Sequence, residues 1–230
     1  MNIFFLHIGN EIEIANLMVR SIKITNPNFN LIQVTDKVSP EIELVDECLR
    51  FDGNTNNIMK FRFEAFSKIN LDSKTSNLFI DEDMLIINKI EPNEIFNGYE
   101  TTFCKRYFNT KSLVNIDFQN LNMTEYKNKT LLEAWPFMGC FIATKNQNLY
   151  SDMDKMYEQL DEKYKFWYGD QIVLKDYYKI FDQSINLVEE FEYANLDTNA
   201  NSFQNIKIMH FKGNRKINMK NFYLNYFKNI

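Results

Sequence analysis

The sequence predicts an α/β fold, a largely parallel sheet with helices packed against it. Two observations lead to this. The first is a strand–helix–strand order at the N-terminus, which favours a parallel sheet with helices against it. The second is size: 230 residues with 45% hydrophobic and 15% aromatic side chains supply a sizeable core and exclude a disordered chain. One domain over residues 1–230 is expected, since no linker or internal repeat interrupts the chain.

Asn2 to Ile8 reads as a first buried strand, broken at Gly9-Asn10, with Asn10 able to cap the next segment. In that segment Ile14, Leu17, Met18 and Ile22 recur at helical spacing, and Pro27 ends the helix. Leu31 to Thr35 is a second strand that stops at Asp36, and Cys48 to Phe51 a short third. Asn57 to Leu71 is the clearest helix, with Ile58, Phe61, Ala65, Phe66 and Ile69 on one face. Asn77-Leu78-Phe79-Ile80 is a strand that ends abruptly in Asp81-Glu82-Asp83. Met84 to Ile87 is apolar again, and Thr101 to Lys105 is another strand.

Residues 106–133 are polar and weakly periodic, the pattern of a long loop, and such loops often bind ligands. Trp135 to Thr144 is a strongly apolar strand with Gly139 inside it, where a missing side chain permits close approach. Leu149 to Tyr164 and Gln171 to Ile180 read as helices, and Ser184 to Val188 and Ile206 to Phe211 as late strands. The tail from Asn218, rich in aromatics and lysine, reads as a terminal helix packed on the core; contact with a membrane surface is the alternative.

Charge and cysteine content narrow the function. The formal net charge is -5 and no long basic run exists, so nucleic acid is not expected as a partner. Residues 1–9 lack the basic start of a signal peptide, and no apolar run is long enough to span a bilayer. Cys48, Cys104 and Cys140 are far apart and read as reduced, buried thiols. A cytoplasmic protein is expected.

Three constellations could carry chemistry. Asp81 and Asp83 leave a strand two residues apart, so both can point to one side and offer hard oxygen ligands to a divalent cation. An isolated pair of this kind is more often a solvated turn, but the apolar run before it raises its weight. Downstream, an apolar strand delivers His210, then Gly213 and Lys216. His210 is either a satisfied buried imidazole or a nitrogen ligand for an ion such as Mn2+. Gly213 would let the main chain approach a diphosphate, and Lys216 would add a point charge. Third, Asp170 in Tyr168-Gly169-Asp170-Gln171 could cap a helix or meet an acceptor hydroxyl. Lys60 and Arg62 are either exposed helix charges or donors to a phosphate or sugar.

Taken together, these residues resemble the nucleotide-sugar glycosyltransferases of the GT-A fold, closest in style to family 8. The resemblance runs through Gly9, Arg62, Asp81-Glu82-Asp83, Pro136-Phe137-Met138-Gly139-Cys140, Asp170-Gln171 and His210-Phe211-x-Gly213-x-x-Lys216, spread over most of the chain. It implies a Rossmann-like domain with a central mixed, mostly parallel sheet. It also implies that Asp81, Asp83 and His210 bind Mn2+ or Mg2+, with Asp81 touching the ribose as well. Gly213 and Lys216 would hold the diphosphate, His7, Gly9 and Asp36 would line the nucleotide pocket, and Arg62 would contact donor sugar or phosphate. Asp170 and Gln171 would face donor sugar and acceptor as the catalytic pair. The implied substrates are a nucleotide sugar, UDP-linked by preference, and a glycan or lipid-linked acceptor in polysaccharide synthesis. One position departs: family 8 enzymes show Asn-Ala-Gly where this chain has Met138-Gly139-Cys140.

Two other readings compete. A phosphohydrolase with an aspartate nucleophile also places Asp-x-Asp after a strand, but at its first strand and with Thr or Val where Leu85 stands here. A sugar- or nucleotide-binding module without turnover would use the aromatics as stacking platforms.

Overall fold

The computed structural model describes residues 1–117, 122–165, 168–199 and 202–229. Seven strands form its centre: β1 (Asn2–Leu6), β2 (Asn30–Thr35), β3 (Glu47–Arg50), β4 (Asn77–Ile80), β6 (Thr101–Lys105), β7 (Phe137–Thr144) and β8 (Ile185–Glu189). They make one sheet in the order β3-β2-β1-β4-β7-β6-β8. β7 alone runs against its neighbours, pairing antiparallel with β4 and β6, and the other pairings are parallel. A two-stranded antiparallel sheet joins β5 (Met84–Ile86) to β9 (Ile208–His210), with Met84 opposite His210.

Eight helices flank the strands among the described residues: α1 (Glu13–Thr25), α2 (Ile58–Ser67), α3 (Pro92–Phe96), α4 (Leu131–Ala134), α5 (Leu149–Glu158), α6 (Gly169–Phe181), α7 (Glu190–Tyr193) and α8 (Lys216–Tyr226). The central strands read as unbroken apolar runs because both sheet faces are covered. Along β1, Ile3 and Phe5 enter one core with α1, β5 and β9, while Phe4 and Leu6 enter another with α2, α5 and α6. Phe4 stacks on Phe79 at 4.8 Å in that second core.

The chain grows outward from β1 through β2 to β3, then returns to place β4 on the other side of β1. The order therefore reverses between β1 and β4, and in such sheets the crevice beyond the carboxyl ends at a reversal is the usual place for a ligand. His7 leaves β1 there, and Asp81 leaves β4 there.

Several local expectations change. α1 starts at Glu13, and Asn10 does not cap it; Ile12 occupies the cap position without a side-chain bond. α2 does take a side-chain cap: the Lys60 amide donates to Asn57 Oδ1 at 3.1 Å. Phe63 is buried as well as Phe61, because α2 packs against α5 in addition to the sheet, with Phe63 meeting Tyr157 of α5 at 4.8 Å. α5 ends at Glu158, and Glu162–Tyr164 forms a separate turn of 3-10 helix. The long loop holds α4, capped by a reciprocal Thr130–Glu133 box, and its 118–121 portion lies outside the described residues. Cys104 and Cys140 are buried, but Cys48 on edge strand β3 is partly exposed. Phe222, Tyr223, Tyr226 and Phe227 of the tail pack against the core, as the packing expectation has it. Among the described residues no helix is long and apolar enough to cross a membrane.

Candidate functional site

The acidic turn between β4 and β5 sends its three carboxylates three ways. Asp81 meets the Arg62 guanidinium from α2. Glu82 turns back across the crevice, and its Oε2 lies 2.7 Å from Nδ1 of the buried His7. Asp83 faces β9: its Oδ1 is 3.3 Å from His210 Nε2, and its Oδ2 is 3.2 Å from Lys216 Nζ at the start of α8. The β5–β9 pairing sets this last arrangement, because Phe211 donates its amide to the Asp83 carbonyl at 2.8 Å.

Asp81, Asp83 and His210 each bring one ligand atom into a group no more than 4.8 Å across. Two carboxylate oxygens and an imidazole nitrogen can together hold a divalent ion. Two buried atoms of the group, Asp83 Oδ1 and His210 Nδ1, make no hydrogen bond of good geometry among the described residues, the 3.3 Å approach of His210 Nε2 to Asp83 Oδ1 being an ion pair alone. Such orphans carry a desolvation penalty that a bound ion would remove at Asp83. The donor set therefore fits a divalent ion.

The electrostatics agree with a charged, compact cluster. Burial opposes ionisation of Asp83, but His210 and Lys216 outweigh it and hold its pKa down at about 2. Burial likewise opposes the charged form of His210, and Cys140 and Asp83 outweigh it, pushing the imidazole up to about 10. The Cys140 thiol is itself raised by burial to about 11, so it is neutral at pH 7 and Asp83 carries that effect. Burial lowers the Lys216 pKa, and Asp83 more than restores it.

A second cluster adjoins the first. Arg62 reaches Asp81 with one nitrogen and stands 3.6 Å from Asp170 Oδ2 with another. Burial opposes the Arg62 charge, and Asp81 and Asp170 overcome it. Burial raises the pKa of Asp170 despite Arg62. Asp170 is not the cap of α6; Tyr168 holds that position, and Asp170 lies within the first turn. Gly139 of β7 makes room for it, since a Cβ there would sit 1.9 Å from Asp170 Oδ2. What approaches Gly139 is thus the carboxylate of Asp170.

The other candidates fall at the crevice or away from it. Gly9 donates its amide to Ser39 Oγ at 2.8 Å, and Ser39 donates its own to Asp36 Oδ1 at 2.7 Å, so Gly9 and Asp36 share one loop corner. Burial raises the Asp36 pKa, but bonds from Ser39 and Val38 lower it overall. Gly213 turns the chain at a φ of 62° just before Lys216. Lys60 points elsewhere, pairing with Glu158 at 3.0 Å and Glu64 at 3.7 Å on the outer face of α2, as an ordinary helix charge does.

Two buried charges at the site gave no sequence signal. Arg106 follows β6 and is 6% exposed; its Nε donates to the Trp135 carbonyl at 2.8 Å and its Nη2 to Gln171 Oε1 at 2.7 Å. Glu190 is fully buried at the start of α7, accepts the amides of Tyr107 and Phe108 at 2.8 Å each, and lies 3.9 Å from Lys212. It ties the start of the long loop to the segment that carries His210 and Gly213. Tyr107 and Phe191 pack above it, 5.4 Å apart and partly exposed.

No protein-family model matches the chain, and no curated protein matches it in sequence. Its structure is similar to that of a galactosyltransferase, LgtC, solved in complex with donor and acceptor sugar analogs. The match has a TM-score of 0.57 over 97% of this chain and 95% of that one, at 10% sequence identity. With its mostly parallel seven-stranded sheet, its flanking helices and that match, the chain has the GT-A fold of glycosyltransferases.

Proposed function

We propose that the protein is a metal-dependent glycosyltransferase that moves a sugar from a nucleotide sugar, UDP-linked by preference, to a glycan or lipid-linked acceptor. One observation carries the reading: Asp81, Asp83 and His210 converge beside Lys216 at the carboxyl end of β4, in a GT-A fold. The similarity to a galactosyltransferase structure supports the class of reaction, and the donor set supports a divalent ion.

The chemistry requires charge control at both ends of the broken bond. Cleavage of a sugar–diphosphate bond places negative charge on the leaving nucleoside diphosphate. A divalent ion held by Asp81, Asp83 and His210 would act there as a Lewis acid. Lys216 adds a fixed positive charge at the same place, and Gly213 lets the main chain come close. His7, Gly9 and Asp36 follow the carboxyl ends of β1 and β2, where the nucleoside would lie. Arg62 neutralises Asp81 and Asp170 together, so both carboxylates can stand near the donor sugar. In an inverting transfer Asp170, its pKa raised by burial, would be the general base, and in a retaining one no base is needed there; in both the sugar carbon gains oxocarbenium character that a nearby carboxylate stabilises.

The test is a thermal-shift and product-release screen of nucleotide sugars with and without Mn2+, since a native-state ligand raises stability. The proposal expects one nucleotide sugar to stabilise the protein only with the ion and to release its nucleoside diphosphate. Undiminished release in excess chelator would remove the ion from the reaction. Stabilisation by a nucleotide sugar with no release, with any acceptor, would make the protein a binding module.

A further inference from the structure

We propose that the protein carries a second saccharide site, at the amino ends of β6 and β8, which holds a sugar unit of a glycan away from the transfer site. Its residues are separate from those of the glycosyltransferase reading, and it rests on that reading only for the glycan being an acceptor.

A cavity of about 370 Å³ lies at that end of the sheet, among the residues that enter β6 and β8, the turn after β7 and the end of α6. Its size falls among small-ligand sites, about 300–1,000 Å³. Thr101 lines it, whereas Arg106 follows the other end of β6 and bonds Gln171. At about 3.3 Å per residue, the strand between them separates the two ends by roughly 16 Å. No member of the Asp81, Asp83 and His210 group or of the Arg62 cluster lines the cavity.

The lining selects against anions and for hydroxyl groups. Among the described residues no lysine, arginine or histidine lines it, so a phosphate or nucleotide finds no counter-charge there. Glu100 and Asp152 offer carboxylate oxygens, and an ionised carboxylate only accepts hydrogen bonds. The Glu100 carboxylate and the Asn148 side-chain amide have no hydrogen-bond or ion-pair partner among the described residues. Asp152 gives Oδ1 to Lys155 at 3.0 Å and keeps Oδ2 for a ligand. Free acceptors, a free amide and no cation suit a ligand that presents several O–H donors and no negative charge.

Two rings supply the apolar half of such a site. Tyr99 and Phe181 are each 41% exposed at the cavity and come from different elements. Phe181 is backed by the buried ring of Tyr177 at 4.5 Å, which holds it in place. A pyranose matches this mixture: its C–H face packs on an aromatic ring while its hydroxyl edge meets carboxylates and amides. A polyamine is the rival ligand. With Asp152 already paired to Lys155, Glu100 is the one unpaired carboxylate of the described lining, too few for a polycation. A glycan long enough to reach both ends of the sheet would be kept at high effective concentration for transfer.

The experiment follows backbone amide shifts by NMR in the wild type, Tyr99→Ala, Phe181→Ala and Glu100→Gln. The probes are lactose, maltotetraose, chitotriose and putrescine, without Mn2+ or nucleotide. At least one saccharide should shift the amides of residues 98–101 and 181–185. Tyr99→Ala and Phe181→Ala should each weaken its binding about fivefold, the size of one lost ring contact. Glu100→Gln should weaken it about threefold, since a charge-assisted bond becomes a neutral one. UDP binding in Mn2+ should stay within about twofold of wild type in all three variants. No shift at these residues with any saccharide, or unchanged affinity in Tyr99→Ala and Glu100→Gln, would overturn the inference. Putrescine shifting them in place of a saccharide would overturn it too. Where Phe181→Ala fails to fold, the two surface variants decide the matter. Saccharide binding at the cavity, with no nucleoside diphosphate released from any nucleotide sugar, would refute the glycosyltransferase reading and leave the site standing. Release without saccharide binding at the cavity would refute the site alone.

Discussion

Gly139→Ala should destabilise the protein through one identifiable contact. The new Cβ would lie 1.9 Å from Asp170 Oδ2 and 2.9 Å from its Cγ. Ordinary contact begins at 3.4 Å, so the carboxylate must retreat by about 1.5 Å. Its room is limited: Asp170 is 9% exposed, and Arg62 stands 3.6 Å from it. Overpacking of this kind costs about 1–3 kcal/mol. For a chain of this size that is roughly 2–4 °C in Tm per kcal/mol. Thermal and urea denaturation would measure it, with Gly139→Ala, Asp170→Ala and the double variant side by side. Cutting Asp170 back to Ala removes the clashing atoms, so the double variant should be less destabilised than the two single losses added together, by about 1 kcal/mol or more. Additive losses, or a Gly139→Ala protein as stable as wild type, would refute the claim that Asp170 fills the space above Gly139.

Other outcomes concern the Asp83 cluster. Lys216→Met should have opposite effects on two ligands. It frees Asp83 Oδ2 from a cation at 3.2 Å and so should tighten Mn2+ binding alone, while weakening Mn2+-dependent UDP binding; calorimetric titration reads both. Weaker Mn2+ binding together with unchanged UDP affinity would contradict it. The pH response has a definite sign. The raised His210 pKa gives stability present in full below about 6.5 and lost as pH rises through about 10. The lowered Asp83 pKa gives stability present above 3.8 and lost as pH falls through about 2. Without metal, Tm should therefore fall above about pH 6.5 more in wild type than in His210→Gln. A bound ion needs the neutral imidazole, so the Mn2+-induced rise in Tm should grow over the same range. A rise that shrinks with pH would exclude His210 as a ligand.

Much of this was legible in the sequence, for physical reasons that also mark where it stopped. The central strands were readable because both sheet faces are covered, which leaves unbroken apolar runs such as Ile3 to Leu6 and Leu78 to Ile80. The acidic exit was readable because a run of that kind ended in Asp81-Glu82-Asp83. Arg106 and Glu190 were not. Each sits beside a second charge of its own sign, and its partners are far away in sequence: Arg106 bonds Gln171, and Glu190 bonds the amides of Tyr107 and Phe108. Only the folded chain reveals that they are buried. The start of α6 misled for a related reason. Tyr168 takes a left-handed φ of 66° at the cap, whereas Gly169 is needed for packing, since a Cβ there would lie 2.4 Å from the Tyr164 carbonyl oxygen. Asp170, a natural capping residue by type, is thereby moved into the first helical turn.

The central claim is that the Asp81, Asp83 and His210 group serves sugar transfer from a nucleotide donor. The most direct measurement is nucleoside diphosphate release from a panel of nucleotide sugars in Mn2+, for wild type and Asp83→Ala, each with and without excess chelator. The account predicts release from at least one donor by the wild type, abolished by chelator and by Asp83→Ala. Equal release by Asp83→Ala, or no release and no binding across the panel, would contradict it.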